Sequence, residues 1–213
     1  MNRFRHSNSF SILLCLVLSI AGLAHSGCNI LKPQVDATRY FLLDSPLEQS
    51  NPVTNSALAI GLRRITIPDY LQNTRMAVRK DTNELLFSDY NRWSERLDTG
   101  IARSLAKALR HSDLIHTVEI APWTQPVQHD YIIDVAIIRF EGNANGQVTL
   151  VADWEIANGA RVTIQRGQFE HIENDWNGTD YSALAGKLTL AISALSTHLA
   201  EQLALSSTPA ERR

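Results

Sequence analysis

The stretch Asp130–Ile172, DYIIDVAIIRFEGNANGQVTLVADWEIANGARVTIQRGQFEHI, restricts the possible folds more than any other part of the chain. Its first portion, Asp130–Glu141, is apolar at Tyr131, Ile133, Val135 and Ile137. It is apolar in the other phase too, at Ile132, Ala136, Ile138 and Phe140. A strand apolar in both phases reads as a central strand covered on both sides. The turn Gly142–Gly146, with Asn145-Gly146, leads back. Gln147–Ile156 then alternates, placing Val148, Leu150, Ala152, Trp154 and Ile156 on one side. Asn158-Gly159 is a strong hairpin signal, and Arg161–Ile172 returns. Residues 130–172 therefore form an antiparallel three-strand meander that needs helices against it.

Two segments supply them. Ser88 or Asp89 can cap a first helix, on which Tyr90, Trp93, Leu97, Ile101, Leu105 and Ala108 share one broad face. Arg92, Arg96, Arg103, Lys107 and Arg110 crowd the other. That basic face is either solvated or a contact for an acidic partner or anionic headgroups. Thr179 or Asp180 opens a second helix with Tyr181, Leu184, Leu188, Ile192, Leu195 and Leu199 in a stripe, broadened by Ala183, Leu190 and Ala194. Lys187, His198 and Glu201 argue against a membrane span. The helix is more apolar than one buried face requires, so packing across the sheet competes with a helix-mediated homo-oligomer.

The remaining strands are short. Arg39–Asp44 is a first strand, and the Ser-, Asn- and Pro-rich residues after it make a loop. Ala57–Ile67 is a second, in which Gly61 marks a bulge or a close backbone approach. Met76–Arg79 and Glu84–Phe87 flank the turn-forming Asp81-Thr82-Asn83. Leu114–Ile120 ends before Pro122. The expected fold is an α/β, three-layer domain with a mixed sheet, the antiparallel meander and two main helices.

The N-terminus reads as delivery. Arg3 and Arg5 precede the apolar run Phe10–Ala24, and Ser26-Gly27-Cys28 follows. A basic start, a short apolar core and a small-residue exit make an export signal. The run falls short of the roughly 20 apolar residues of a membrane span. Ser26-Gly27-Cys28 resembles a bacterial lipobox, which makes Cys28 the expected lipidation site; His25 departs from the aliphatic residue usual there. Asn29 is not the aspartate associated with inner-membrane retention. Residues 1–27 are read as signal peptide, 28–38 as a lipid-anchored tether, 39–205 as the domain and 206–213 as a disordered tail.

Removing residues 1–27 takes two arginines and no acid, leaving 18 basic against 22 acidic residues. That balance gives no nucleic-acid footprint. With Cys28 the sole cysteine left, an intrachain disulfide and a cysteine zinc cluster are both excluded. His111 and His116 are too far apart for one helix face, and His129-Asp130 sits at a strand start. Asn177-Gly178-Thr179 matches a glycosylation sequon but is more simply the loop before the last helix. No nucleophile elbow, metalloprotease helix, phosphate loop or dinucleotide fingerprint occurs. The chain is expected to be no enzyme and to need no cofactor or metal.

The order of segments resembles a known family. RYFLLDSP, IPDYL, MAVRK, SDYNRWSERLDTGIARSLAKAL, YIIDVAIIRFEG, VTLVADWEI and the closing ALSTHLAEQLA together look like the PqiC/YmbA family of ABC-type transport auxiliary lipoproteins. Arg96 stands where that family usually has proline. The resemblance implies a fold similar to the N-terminal domain of TolB. It also implies a lipoprotein facing the periplasm from the outer membrane, an accessory to a mammalian-cell-entry (MCE) type phospholipid-transport system. Its implied partners are the MCE-domain and permease subunits, with the membrane reached through the lipid anchor. A lipid- or amphiphile-binding module and a general envelope-structural lipoprotein are the alternatives. A partner-docking surface is sought on Ile67, Pro68 and Tyr70 and on Arg92, Arg96 and Arg103.

Overall fold

A computed structural model describes residues 35–44, 58–123 and 128–207. The chain divides into Met1–Ala37 and Thr38–Arg213, and every strand and helix described lies in the second unit. The strands are β1 (Arg39–Phe41), β2 (Leu58–Leu62), β3 (Arg75–Asp81), β4 (Glu84–Trp93), β5 (Ile115–Ile120), β6 (Tyr131–Asn143), β7 (Val148–Asn158) and β8 (Thr163–Glu173). The helices are α1 (Leu97–Leu109) and α2 (Tyr181–Ser207), with a 3-10 turn at Asp69–Leu71.

β6 organises the sheet. One of its edges carries β7 antiparallel from Tyr131↔Asn158 to Gly142↔Val148, and β8 continues beyond β7. Its other edge is long enough, at 13 residues, for two parallel partners in line. β2 takes the N-terminal end (Ile60↔Tyr131, Leu62↔Ile133) and β3 the C-terminal end (Val78↔Gly142). Thr66 bridges to Ala136 between them. The order along that path is β1-β4-β3-β6-β2-β5.

The α/β class, the mixed sheet, the meander and the two main helices are as the sequence predicts. Ile133, Val135, Ile137 and Phe140 of β6 share one core with Ile101, Leu105 and Leu109 of α1 and with Leu188, Ile192, Leu195 and Leu199 of α2. Both helices therefore cover the same face. The pairing of β6 with β7 shifts between Ile137 and Arg139, so the buried phase moves from odd positions to Phe140. Ile132 and Glu141 are buried in the opposite phase to these core residues, and Ile138 at the shift is 40% exposed.

The helix entry also differs. Strand β4 runs on through Tyr90 to Trp93, and α1 begins only at Leu97. Trp93 pairs with Phe41 of β1, and its amide donates to the Thr74 carbonyl at 2.7 Å. Ser88 is no helix cap: its hydroxyl accepts from the Asn91 amide within β4. The family-proline position, Arg96, has φ −59° and ψ 133°, a φ that proline also adopts.

At the far end the prediction holds. Asp180 caps α2, its carboxylate accepting from the Ser182 and Ala183 amides at 2.9 and 3.1 Å. Asn177 of the sequon folds its own loop by accepting from the Thr179 and Asp180 amides. By length and composition α2 could cross a membrane, yet Leu184, Leu188, Ala191, Ile192, Leu195, Leu199 and Leu203 are buried in the core. The helix runs to Ser207, and the tail beyond lies outside the described residues.

Candidate docking surface

Residues 67–71 leave the sheet and fold back on it. Ile67 packs against the core, Pro68 (φ −66°) opens the 3-10 turn, and Leu71 is buried. Tyr70 points at the sheet: its hydroxyl donates to Glu141 Oε2 at 2.6 Å. Glu141 has no exposed side-chain surface. Its other oxygen accepts from Arg79 Nε at 2.8 Å and Arg139 Nε at 3.0 Å, and Oε2 also accepts from the Phe140 amide at 3.0 Å. Burial pushes this carboxyl up, but the donors outweigh it and the net direction is down. Burial pushes the Tyr70 phenol up, and donation to Glu141 raises it further. The phenol therefore stays protonated as a donor.

This four-residue cluster was not legible as a site in the sequence. The only local signal is Arg139-x-Glu141 near the end of a mostly apolar strand. Tyr70 and Arg79 join it from 71 and 62 residues away.

The basic residues divide among several surroundings. Arg92 lies on β4, in register with Tyr40 of β1 and Arg75 of β3, and so is not on the α1 face. Arg96 precedes α1 and donates to both Asp98 oxygens, at 3.1 and 2.7 Å. Arg64 reaches the same carboxylate at 3.1 Å. The Arg96 hydrogen bonds hold the Asp98 carboxyl down at about 2, with burial opposing and Arg64 assisting. Arg103 donates to Glu95 at 2.6 Å and to the Leu43 carbonyl at 3.0 Å. Lys107 pairs with Asp44 at 2.7 Å, and Arg110 donates to the Val118 carbonyl at 2.9 Å. Arg103, Lys107 and Arg110 of the outer α1 face thus hold this domain's own acids and carbonyls. Ile67, Pro68, Tyr70, Arg92, Arg96 and Arg103 are not gathered into one cluster, and Cys28 lies outside the described residues.

Among the described residues no group of three His, Cys, Asp or Glu side chains could hold a metal. His129 is buried against Trp123, ring centres 4.7 Å apart. The two rings pack so near Gly61 that a Cβ there would lie 2.8 Å from each. Gly61 thus marks a close approach of side chains rather than of backbone.

Comparison with known proteins fits this architecture. No curated protein matches the chain. Similar solved structures include an uncharacterized protein at 18% identity and a TM-score of 0.63, covering 78% of this chain and 98% of the other. Protein XCC0632 from Xanthomonas campestris, placed in family DUF330, aligns at 16% identity and a TM-score of 0.59, over 76% of this chain and 90% of its own. At such identities they show the fold alone. The family model of the ABC-type transport auxiliary lipoprotein component matches residues 40–203, well over half of the chain, and the chain belongs to that family.

Proposed function

We propose that this chain is a non-enzymatic subunit of an MCE-type system that moves phospholipid between the membranes of a double-membraned envelope. In this reading acyl chains on Cys28 hold it at the outer membrane facing the periplasm, and the domain docks MCE and permease subunits. The family match over residues 40–203 carries the reading. The export signal and the small residues before Cys28 support the anchor. Acylation at more than one position makes anchoring stable where a single chain would be marginal. The contribution to transport is local concentration: a tethered domain meets its partner at an effective concentration set by the tether.

Recovery of partners from cross-linked envelope extracts tests the docking. Full-length protein is expected to bring down MCE or permease subunits. Recovery of neither, from cells that express both, overturns the transport role. Labelled palmitate tests the anchor separately: wild type takes up label and Cys28→Ala does not, whereas an unlabelled wild type removes the anchor.

A further inference from the structure

We propose that Arg79 and Arg139 form a binding site for a phosphate-type oxyanion, either a free phosphate or the phosphodiester of a lipid headgroup. The inference stands on geometry independent of the transport reading. Between the β3–β4 turn and the β6–β7 turn lies an open groove of about 460 Å³. Arg79, Lys80, Asp81, Arg139, Asn143 and Asn145 are among its lining residues.

The two arginines are unusual in how they are held. Each donates from Nε to the same oxygen of Glu141, which is wholly buried. Arg79 Nη1 is taken by the Thr82 carbonyl at 3.1 Å. Both Nη groups of Arg139 have no hydrogen-bond partner among the described residues, while the Arg79 guanidinium also lies against the Tyr70 phenol. One edge of each guanidinium is thus fixed by the interior while the Nη donors of Arg139 remain for the groove.

Charge points the same way. One carboxylate faces two guanidiniums, and Tyr70, its other side-chain donor, is neutral, so the cluster keeps one positive charge. Lys80 adds none, being paired with Glu84 at 2.7 Å. Asp81, which also lines the groove, keeps its negative charge and accepts from the Thr82 amide at 2.7 Å, so the positive charge available to a ligand is that of the Arg79–Arg139 side. Guanidinium donors fit planar or tetrahedral oxyanions in a fixed fork. Two guanidiniums held from behind lose little side-chain freedom when a ligand arrives. The free Nη1/Nη2 fork of Arg139 beside a second guanidinium favours a ligand with three or more oxygens, hence phosphate over a single carboxylate.

The test titrates full-length protein with inorganic phosphate and, in parallel, with dihexanoylphosphatidylglycerol below its micelle concentration. Chloride at equal ionic strength is the reference, and binding is read by calorimetry and by the arginine Nε–Hε resonances. Saturable binding is expected in at least one arm. Arg139→Gln is expected to weaken it roughly tenfold or more, the scale of one charge-assisted hydrogen bond. Arg161→Gln should stay within about twofold, because Arg161 lies in the β7–β8 turn and does not line the groove. Tighter binding of the lipid identifies a headgroup site; equal or tighter binding of inorganic phosphate identifies a soluble oxyanion. No saturation in either arm, or equal binding by wild type and Arg139→Gln, overturns the proposal. Should Arg139→Gln fail to fold, Arg139→Lys keeps the charge without the fork, and undiminished binding by it is likewise fatal.

Discussion

Glu141 shows how much one residue can fasten. Its carboxylate joins the 3-10 turn through Tyr70, β3 through Arg79 and its own strand through Arg139. Removing one member of a buried ion pair leaves the rest desolvated and uncompensated, which costs about 3–5 kcal/mol. Glu141→Gln should lower the unfolding free energy from urea denaturation by an amount of that size. Arg139→Gln should cost only about 1 kcal/mol, since Arg79, Tyr70 and the Phe140 amide still hold the carboxylate. Similar midpoints for the two variants would show that the network does not couple the three segments. Asp98 supplies a pH handle of definite sign. Its folded pKa, about 2, lies below the ordinary carboxylate value near 3.9, so the unfolded chain binds the proton more readily. The stability it contributes is complete above about pH 4 and is lost as pH falls towards 2. Because its guanidinium partners are mostly exposed, about 1–2 kcal/mol is the expected size. Asp98→Asn should melt below wild type at pH 7 and together with it near pH 2. Neither cluster could be read from the sequence as a site, because the pairing of Tyr70 and Arg79 with Glu141, or of Arg64 with Asp98, needs the strand order first.

Individual elements show where local patterns mislead. Tyr90, Trp93, Leu97, Ile101 and Leu105 recur every three or four residues, which is the helical signature. Trp93 nonetheless belongs to a strand, because Phe41 of β1 and Thr74 offer it sheet partners that a one-sequence periodicity cannot contain. Long-range pairing overrides propensity most easily at such a boundary. The Asn158-Gly159 hairpin is right in place and different in kind. Its turn is wider than two residues: the Asn158 amide donates to the Val162 carbonyl, and the positive φ of 64° belongs to Arg161. Gly159 is needed for room, since a Cβ there would sit 2.5 Å from the His129 carbonyl oxygen. Two substitutions in one turn should therefore act in opposite directions. Gly159→Ala should destabilise by about 1–3 kcal/mol, because backbone must move to admit the methyl. Arg161→Gly removes the left-handed strain and should be neutral or stabilising by up to about 1 kcal/mol. Thermal melts of both variants check the pair, and a stabilised Gly159→Ala would contradict the close approach.

At the scale of the whole molecule, the parts with strong internal repetition were the legible ones. The meander alternates, and α2 carries Leu184, Leu188, Ile192, Leu195 and Leu199 at helical spacing; both stand where the sequence puts them. The register shift between Ile137 and Arg139 was hidden, because an apolar run looks the same with or without it. The resulting domain has one core, formed of residues from Leu43 to Leu203. Among the described residues the core begins at Leu43, and the chain divides between Ala37 and Thr38, so folding and anchoring should separate cleanly. Full-length Cys28→Ala should lose its membrane fractionation while keeping the wild-type unfolding free energy within about 0.5 kcal/mol, the range for substitutions that touch no core or network. Fractionation by sedimentation and denaturation of the purified protein measure the two properties independently. If Cys28→Ala stays with the membrane, another feature holds the chain there. If its midpoint falls, residue 28 belongs to the folded unit and the boundary near residue 38 is misplaced.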